Sequence, residues 1–262
     1  SPFGFSTEDN FQKILSGKSA IKKVFIDDKI GSVYAGKINE ELFNNHFQSI
    51  NADFEGSRIE KLLIAALSPI VEKNPLKNDW VLILSTTKGN IAALSKNDLN
   101  GAFIDQLAKN INSYFGFKTE PIVVSNACTS GVVAISLAKR FIEMEQFTNA
   151  YVVAVDELTP FVVSGFQSFQ AMSNEPCKPY DANRTGVNLG EAAVAIFVSN
   201  EDQTESIQIL GDANINDANH ISGPSRTGEG LFLSIEKALN EAQIASNQID
   251  YISAHGTATL FN

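Results

Sequence analysis

The sequence is poor in the residues that mark several classes of protein. Its 262 residues include two cysteines, Cys128 and Cys177, and three histidines. Two cysteines are too few for a disulfide framework, and no metal-ligand spacing occurs, so we expect no metal. Twenty lysines and arginines face 30 acidic residues, without the basic blocks that bind nucleic acid or anionic membranes. No apolar run approaches the ~20 residues that span a bilayer, and we expect a soluble, cytoplasmic protein.

What the chain does have is an alternation of short β-branched runs with longer amphipathic stretches. This alternation is typical of an α/β protein with mostly parallel, covered sheets. Apolar periodicity predicts helices at Thr7–Leu15, Arg58–Val71, Ala102–Phe115, Gly131–Gln146 and Glu229–Ala242. Runs rich in Val, Ile, Phe or Tyr predict strands at Ser32–Lys37, Trp80–Ser85, Pro121–Val124, Tyr151–Asp156, Ala192–Ser199, Ile207–Ile215 and Tyr251–Ala254.

Two polar regions organise the chain further. The stretch Asn200–Ser206 looks like a boundary between units, and we predict domains at 1–203 and 204–262. The turn-rich region Ser173–Gly190 lies between two strand-like segments and is too long for a plain connector. Ordered loops of this length are often functional, so we expect a role for this one.

Cys128 is the first candidate for chemistry. The sequence around it runs from a predicted strand directly into a predicted helix, with small residues on both sides. A thiol at a helix N-terminus faces unpaired backbone N–H groups and the positive end of the helix dipole, which stabilise a thiolate nucleophile. The alternative is a buried, inert cysteine, because free cysteine is among the most buried residue types.

His255 is the second candidate. The predicted strand Tyr251–Ala254 delivers it to its carboxyl end, where open α/β sheets place ligand sites, and Gly256 allows a sharp turn. Histidine there is a good proton shuttle and hydrogen-bond donor. The alternative is a histidine that ends a strand for packing reasons alone.

Taken together, the motifs resemble those of the elongating β-ketoacyl-acyl-carrier-protein synthases, condensing enzymes of the thiolase superfamily. The resemblance covers essentially the whole chain. The motifs that carry it, in the family's order, are Ser1-Pro2-Phe3-Gly4, Asn126-Ala127-Cys128-Thr129-Ser130-Gly131, Gly165–Ser173, Lys178-Pro179-Tyr180-Asp181, Arg184-Thr185-Gly186, Leu189-Gly190-Glu191, His220-Ile221-Ser222-Gly223-Pro224, Gly228-Glu229-Gly230 and His255-Gly256-Thr257-Ala258-Thr259.

The resemblance implies a fold, a reaction and two catalytic residues. The fold would be the layered αβαβα thiolase-like arrangement. The reaction would be a decarboxylative Claisen condensation that extends an acyl group held on Cys128 with malonyl-acyl-carrier protein and gives a 3-oxoacyl product. His255 would be one of two histidines that bind the malonyl thioester carbonyl and stabilise the enolate.

Further site residues follow from the same resemblance. Glu191 matches the buried acid that orients a catalytic lysine, with a solvated loop carboxylate as the alternative. Phe166 and Phe169 stand at or near acyl-tunnel positions, although an aromatic side chain in a buried loop is as often plain core. Thr257 and Thr259 would bind substrate.

The resemblance also implies partners. Substrates would arrive on the phosphopantetheine of an acyl carrier protein, with no other cofactor. The family is dimeric through the strand before the nucleophile, here Pro121–Val124, so we expect a homodimer or a heterodimer with a related subunit. Arg58 and Lys61 lie in the region that receives the acidic carrier, but a plain solvated helix end is the favoured interpretation.

The chain also departs from the family pattern. Family members begin with a strand before the Ser-Pro-Phe-Gly opening and continue past the His255 motif, so we expect an incomplete second thiolase repeat that lacks the catalytic lysine and second histidine. Such a chain alone should be nearly inert. Ala192 after Glu191, and the segment Thr86–Asn90, point away from housekeeping fatty-acid synthesis and towards specialised pathways such as aryl polyene synthesis.

The residues bear on three alternatives to a β-ketoacyl synthase. A non-catalytic chain-length-factor-like subunit is the main one, and Cys128 argues against it because such subunits replace the nucleophile. A Cys–His hydrolase with a nucleophile elbow needs glycines at positions 126 and 130, where Asn126 and Ser130 stand. A thiolase would need a second catalytic cysteine, and Cys177 is misplaced for that role.

Overall fold

The helices and strands of the computed structural model, which describes residues 1–201, 206–217, 225 and 227–260, alternate along the chain. The helices are α1 (Thr7–Leu15), α2 (Glu40–Ile50), α3 (Arg58–Lys73), α4 (Leu99–Ala102), α5 (Ile104–Phe115), α6 (Ser130–Glu143), α7 (Pro160–Ser168) and α8 (Glu229–Ala242). Short 3-10 helices occupy Ile91–Lys96, Ala127–Thr129 and Ser246–Gln248. The strands are β1 (Lys22–Asp27), β2 (Gly31–Gly36), β3 (Val81–Ser85), β4 (Ile122–Val124), β5 (Asn149–Asp156), β6 (Leu189–Gly190) and β7 (Ala192–Ser199).

The central sheet has the strand order β4-β3-β5-β7. β3 runs parallel to both β4 and β5, whereas β7 runs antiparallel to β5 from the pair Asn149–Ser199 to the pair Asp156–Ala192. The mostly parallel sheet predicted from the sequence is therefore confirmed. All five residues of β3 are buried, as expected for a strand covered on both faces.

Helices cover both faces of this sheet. On one face, α3 and α5 bury their apolar sides together with Phe43 and Phe47 of α2. On the other face, α6 packs Ala134, Ala138 and Ile142 against β3 and β5. The result is a helix–sheet–helix sandwich, and the predicted nucleophile, Cys128, lies immediately before the N-terminal end of α6.

A small second sheet lies beside the sandwich. β2 pairs antiparallel with β1 and parallel with β6, with Ala35 opposite Leu189. A satellite core of Ala35, Leu158 and Val163, with Met172 packed against it, joins this sheet to α7. The loop after α7 is thereby anchored at both ends, because β6 follows it directly.

Two predicted strands are not formed. Residues 207–215 and 251–254 have no strand structure, because neither segment has a hydrogen-bonded neighbouring strand among the described residues. Residues 206–217 instead lie against α8, where a Cβ added to Gly211 would approach the carbonyl oxygen of Ala238 to 2.4 Å. The β-branched composition of both segments predicts strands, but a strand also needs a neighbouring strand to pair with, and the described residues do not supply one.

The other predicted elements agree well with the structure. α1, α8 and β7 have the predicted bounds, and the remaining predicted helices and strands differ at their ends by one to three residues. The sequence did not predict α2, α4, α7, β1 or β6. The predicted domain boundary between residues 203 and 204 lies outside the described residues and stays a prediction.

Candidate active site

The carboxyl ends of the parallel strands gather the candidate residues at one edge of the sheet. In register, Ser85 of β3 lies opposite Val124 of β4 and Ala154 of β5. The loops that leave these strands therefore emerge side by side, and β7 begins at the same edge, where Ala192 pairs with Asp156. This is the edge at which open α/β sheets place their ligand sites.

Cys128 lies on a tight turn at this edge. It follows β4 by four residues, is exposed, and belongs to the 3-10 helix that leads into α6. The preceding residue, Ala127, has φ +47°, a left-handed conformation that is strained for a residue with a side chain. The alternative of a buried cysteine is therefore wrong, and the reactivity of Cys128 stays a prediction.

Ser130 holds this turn in shape. Its hydroxyl donates to the carbonyl oxygen of Ala127 at 2.6 Å and accepts from the backbone N–H of Asn126 at 2.8 Å. Ser130 is the first residue of α6 and is almost fully buried. Gly131 then lies against Ala154 of β5, with 4.0 Å between their Cβ positions. Cys128 thus stands immediately before a helix N-terminus, as its sequence context predicted.

The loop after β3 forms a second wall at this edge. A single carboxylate oxygen of Asp156 accepts from the Thr86 hydroxyl at 3.2 Å, the Thr87 hydroxyl at 2.8 Å and the Thr87 backbone N–H at 2.9 Å. The backbone N–H of Thr86 donates to Val124 at 3.2 Å. Asp156 therefore ties this loop to the end of β5, next to the turn that carries Cys128.

Glu191 lies between β6 and β7, and its side chain is fully buried. Its two oxygens accept a bidentate pair of hydrogen bonds from Arg58, at 2.8 and 3.1 Å. They also accept from the backbone N–H groups of Ile38 at 2.8 Å and Leu158 at 3.0 Å. The solvated carboxylate considered from the sequence is therefore excluded, and no lysine is among the partners of Glu191 in the described residues.

Arg58 is the centre of an ion cluster rather than a solvated helix end. Besides Glu191 it pairs with Glu40 at 2.7 Å and Glu157 at 3.2 Å. Burial alone would lower the pKa of Arg58, but its hydrogen bonds to Glu191 and Glu40 raise it above its ordinary value. Burial raises the pKa of Glu157, against the lowering effect of Arg58. The interpretation of Arg58 as a solvated residue was wrong, because its partners lie far away in the sequence.

Phe166 and Phe169 lie at the C-terminal end of α7. Phe169 is 78% exposed and Phe166 is 36% exposed. The alternative that both are plain core residues is therefore wrong for Phe169. Their tunnel-lining role stays a prediction.

The long loop after α7 reaches the segment of His255. Arg184 donates from Nε to the carbonyl oxygen of Thr259 at 2.7 Å. Thr257 and Thr259 hydrogen-bond each other through their hydroxyls at 3.1 Å. His255 is exposed. The motif that contains His220 lies outside the described residues.

The structure brings some of the predicted site residues together and leaves others apart. Cys128 and Glu191 belong to loops at the same edge of the sheet, and the long loop joins the end of α7 to the threonines near His255. The contacts of the described residues do not join Cys128 to His255. Sequence reasoning missed Asp156 and Ser130, although a small polar residue after the cysteine was visible in the nucleophile motif.

The described residues provide neither a metal-binding cluster nor a membrane-spanning helix. They include no group of three or more His, Cys, Asp or Glu side chains arranged to hold a metal ion. None of the helices formed by residues that the structure describes is long and apolar enough to cross a membrane.

Comparison with known proteins identifies relatives along the whole chain. The family model of the beta-ketoacyl synthase N-terminal domain matches residues 1–204, and that of the C-terminal domain matches residues 208–262. The 3-oxoacyl-[acyl-carrier-protein] synthase 2 of Vibrio harveyi is 28% identical over 211 residues, which cover 76% of this chain and 47% of that protein. The chain spans about half the length of the curated relatives it matches.

Solved structures show the same fold. The ketosynthase ApeO in complex with its chain length factor ApeC from Xenorhabdus doucetiae has a TM-score of 0.81 and 24% identity, covering all of this chain and 70% of that one. AntDE:AntF, a type II PKS acyl-carrier protein in complex with its ketosynthase bound to the hexaketide, has a TM-score of 0.82 and 18% identity. The match covers 100% of this chain and 72% of that chain. The thiolase-like fold is therefore confirmed, and the chain belongs to the beta-ketoacyl synthase family.

Proposed function

We propose that this protein is a β-ketoacyl-acyl-carrier-protein synthase that uses Cys128 as its nucleophile. The observation that carries the proposal is the position of Cys128, exposed on a strained turn at the carboxyl end of β4, in a chain of this family. A strained backbone persists where the surrounding structure holds it, and such strain clusters at active sites. Here Ser130 supplies the hydrogen bonds that hold the turn.

The first half-reaction is an acyl transfer. The thiolate of Cys128 attacks the carbonyl carbon of an acyl thioester on the phosphopantetheine of an acyl carrier protein. A new carbon–sulfur bond forms, the carbon–sulfur bond to the carrier breaks, and the carrier leaves as its thiol with the proton that Cys128 gave up. This step stores the acyl group on the protein and separates acyl transfer from carbon–carbon bond formation.

The second half-reaction is the condensation. A malonyl thioester loses CO2, and the electron pair of the broken carbon–carbon bond forms an enolate, whose oxygen His255 and a second donor would stabilise. The enolate carbon attacks the acyl–Cys128 carbonyl, and the bond to the Cys128 sulfur breaks. The products are a 3-oxoacyl thioester two carbons longer and the regenerated thiolate. This chemistry is complete without a metal or redox cofactor.

The remaining site residues have supporting roles in this proposal. Phe166 and Phe169 contact the acyl chain, and the exposure of Phe169 in one copy of the chain leaves its ring available for that contact. Thr257 and Thr259 bind the thioester. Glu191 supports the site as a buried acid. Its hydrogen bonds with Arg58, Ile38 and Leu158 favour a structural role, in which it holds these three residues together.

The proposed partners are an acyl carrier protein and a second ketosynthase-type subunit in the cytoplasm. Supporting this, the two structural neighbours described above are complexes with an acyl carrier protein or a chain length factor. β4 is an edge of the central sheet, with Ile122 and Val123 only half-buried. Pairing two β4 edges across a two-fold axis would cover them. Fatty-acid synthesis and specialised polyketide or aryl-polyene synthesis both fit this assignment.

Intact-mass measurement tests the proposal. Protein expressed from its natural gene is incubated with a medium-chain acyl thioester of an acyl carrier protein, and the adduct is located by peptide mapping. We expect one acyl group on Cys128, loss of the adduct in Cys128→Ser, and full labelling in the matched control Cys177→Ser. An unlabelled Cys128 would contradict the proposal and favour a non-catalytic, chain-length-factor-like subunit.

A further inference from the structure

Arg184 makes contacts that the proposed reaction does not yet explain. Its guanidinium donates to three backbone carbonyl oxygens: Thr259 at 2.7 Å, Leu260 at 3.1 Å and Asp181 at 3.1 Å. The first two belong to the segment that begins at His255, 75 and 76 residues further along the chain. A planar guanidinium can hold several carbonyl groups at once in a fixed geometry. Arg184 therefore fixes the backbone that follows His255.

The same segment contacts the loop of Arg184 at a second point. Gly256 lies so close to Tyr180 that an added Cβ would stand 3.0 Å from the tyrosine ring. Three residues at this contact are left-handed: Tyr180 at φ +63°, Gly256 at +53° and Ala258 at +60°. Ala258 is also 1% exposed. Backbone of this kind needs surrounding contacts to keep its shape.

The loop that presents Arg184 is itself firmly anchored. The backbone N–H of Ser173 donates to Val187 at 2.9 Å, and that of Val187 donates to Ala171 at 2.8 Å. The hydroxyls of Ser173 and Thr185 lie 2.8 Å apart. Arg184 therefore projects from a closed loop that is held by α7 and the small sheet. Through its hydrogen bonds, Arg184 can hold the segment after His255 in a fixed position relative to that loop.

We propose that Arg184 is a positioning residue that sets the place of His255 for the condensation half-reaction. The inference rests on the proposed function, because it concerns the residue assigned to the malonyl thioester. Arg184 acts through the backbone of residues 255–260 and does not touch the reacting atoms. It should therefore matter for decarboxylation and condensation and be dispensable for acyl transfer to Cys128.

The experiment compares Arg184→Ala, Arg184→Lys and the control Lys178→Ala in protein expressed from its natural gene. Lys178 is a half-exposed cation of the same loop that pairs with Glu175. Each variant is assayed for acylation of Cys128 by intact mass, for CO2 release from a malonyl thioester, and for backbone hydrogen exchange in residues 255–260. Thermal melting shows whether each variant is folded.

For Arg184→Ala we expect acylation within about twofold of the unaltered protein, but CO2 release lower by about 100-fold and faster exchange in residues 255–260. Arg184→Lys should recover part of the loss, and Lys178→Ala should behave as the unaltered protein. Equal losses in acylation and CO2 release, or unchanged CO2 release, would overturn the inference alone. An unaltered protein that leaves Cys128 unlabelled would overturn the proposed function and this inference with it.

Discussion

Cys128 owes its position to its immediate neighbours more than to any distant contact. Ala127 takes a left-handed backbone conformation, and the buried hydroxyl of Ser130 bridges the two ends of the turn. A left-handed residue with a side chain costs about 1 to 2 kcal/mol. The two hydrogen bonds of Ser130 offset that cost and keep the thiol exposed in front of α6.

Replacing Ser130 with alanine tests this role. We expect the free energy of unfolding to fall by about 1 to 3 kcal/mol, because two hydrogen bonds that hold the turn are lost. We expect acylation of Cys128 to slow by about tenfold or more, because a displaced nucleophile loses its approach geometry. Ser49→Ala removes another hydroxyl-to-carbonyl hydrogen bond, on α2, and should leave the acylation rate unchanged. Equal acylation rates in the two variants would contradict this role of Ser130.

Glu157 gives a pH-dependent prediction at the same scale. Burial raises its pKa in the folded protein, so the folded state binds a proton more readily than the unfolded one. Its ionisation therefore lowers stability as the pH rises above the ordinary carboxyl value of 4.5. We expect Glu157→Gln to be more stable than the unaltered protein at pH 7 and to lose this advantage below about pH 4. Urea unfolding of both proteins between about pH 4 and pH 7 measures the difference in their free energies of unfolding. A difference that does not change with pH would contradict the raised pKa of Glu157.

Local sequence could place the candidate nucleophile Cys128 before a helix, but it could not identify the partner of Glu191. The run from strand to helix around Cys128 is contiguous, so its turn could be predicted. Arg58 pairs with Glu191 across 133 residues, and no local pattern contains that information.

At the level of elements, apolar periodicity predicted five of the helices, namely α1, α3, α5, α6 and α8. α3 begins with a capping box of Ser57 and Glu60, and its predicted start was confirmed. The predicted strands at 207–215 and 251–254 were wrong, because a strand also depends on a neighbour that a single run cannot specify. The length of the loop after α7 predicts a function for it, but its contact with residues 255–260 was not predictable.

Gly186 makes this loop testable as an element. Its φ is +145°, and an added Cβ would stand 2.4 Å from the carbonyl oxygen of Ala171. Gly116 also has a positive φ, +80°, but nothing lies within 4 Å of its Cβ position. We expect Gly116→Ala to cost about 1 kcal/mol through backbone strain alone. Gly186→Ala should cost clearly more, about 3 kcal/mol, because the loop must also open. Chemical denaturation measures both, and equal costs would contradict a closed loop.

At the scale of the whole molecule, a cluster of charges joins α6 to the region after the predicted boundary. Asp212 pairs with Arg140 at 3.1 Å and with Lys139 at 3.7 Å, and its backbone N–H donates to Glu241 of α8 at 3.2 Å. Lys139 and Asp212 are about nine-tenths buried. α8 thus contacts the C-terminal half of α6, the helix that begins two residues after Cys128.

Asp212→Asn should loosen this connection. We expect hydrogen exchange of the α8 backbone to accelerate, by the equivalent of about 2 kcal/mol, because a buried charged pair is broken. The hydrogen bond between Glu241 and Lys139 lowers the pKa of Glu241 in the folded protein. The stability that Glu241 contributes is therefore present above pH 4.5 and is lost as the pH falls through the pKa of the folded state. Asp105→Asn removes an exposed i,i+4 pair on α5 and serves as the control, with unchanged α8 exchange. Unchanged exchange in Asp212→Asn would contradict the proposed connection.

The central claim is that Cys128 holds an acyl group for carbon–carbon bond formation. The most direct measurement is a single-turnover assay in which acylated protein, freed of donor, is mixed with a malonyl thioester carrying a labelled methylene carbon. We predict a labelled 3-oxoacyl thioester two carbons longer than the bound group, one CO2 released for each product, and an unmodified Cys128. Release of the bound group as the free acid, without labelled product, would contradict the account and indicate a cysteine hydrolase instead.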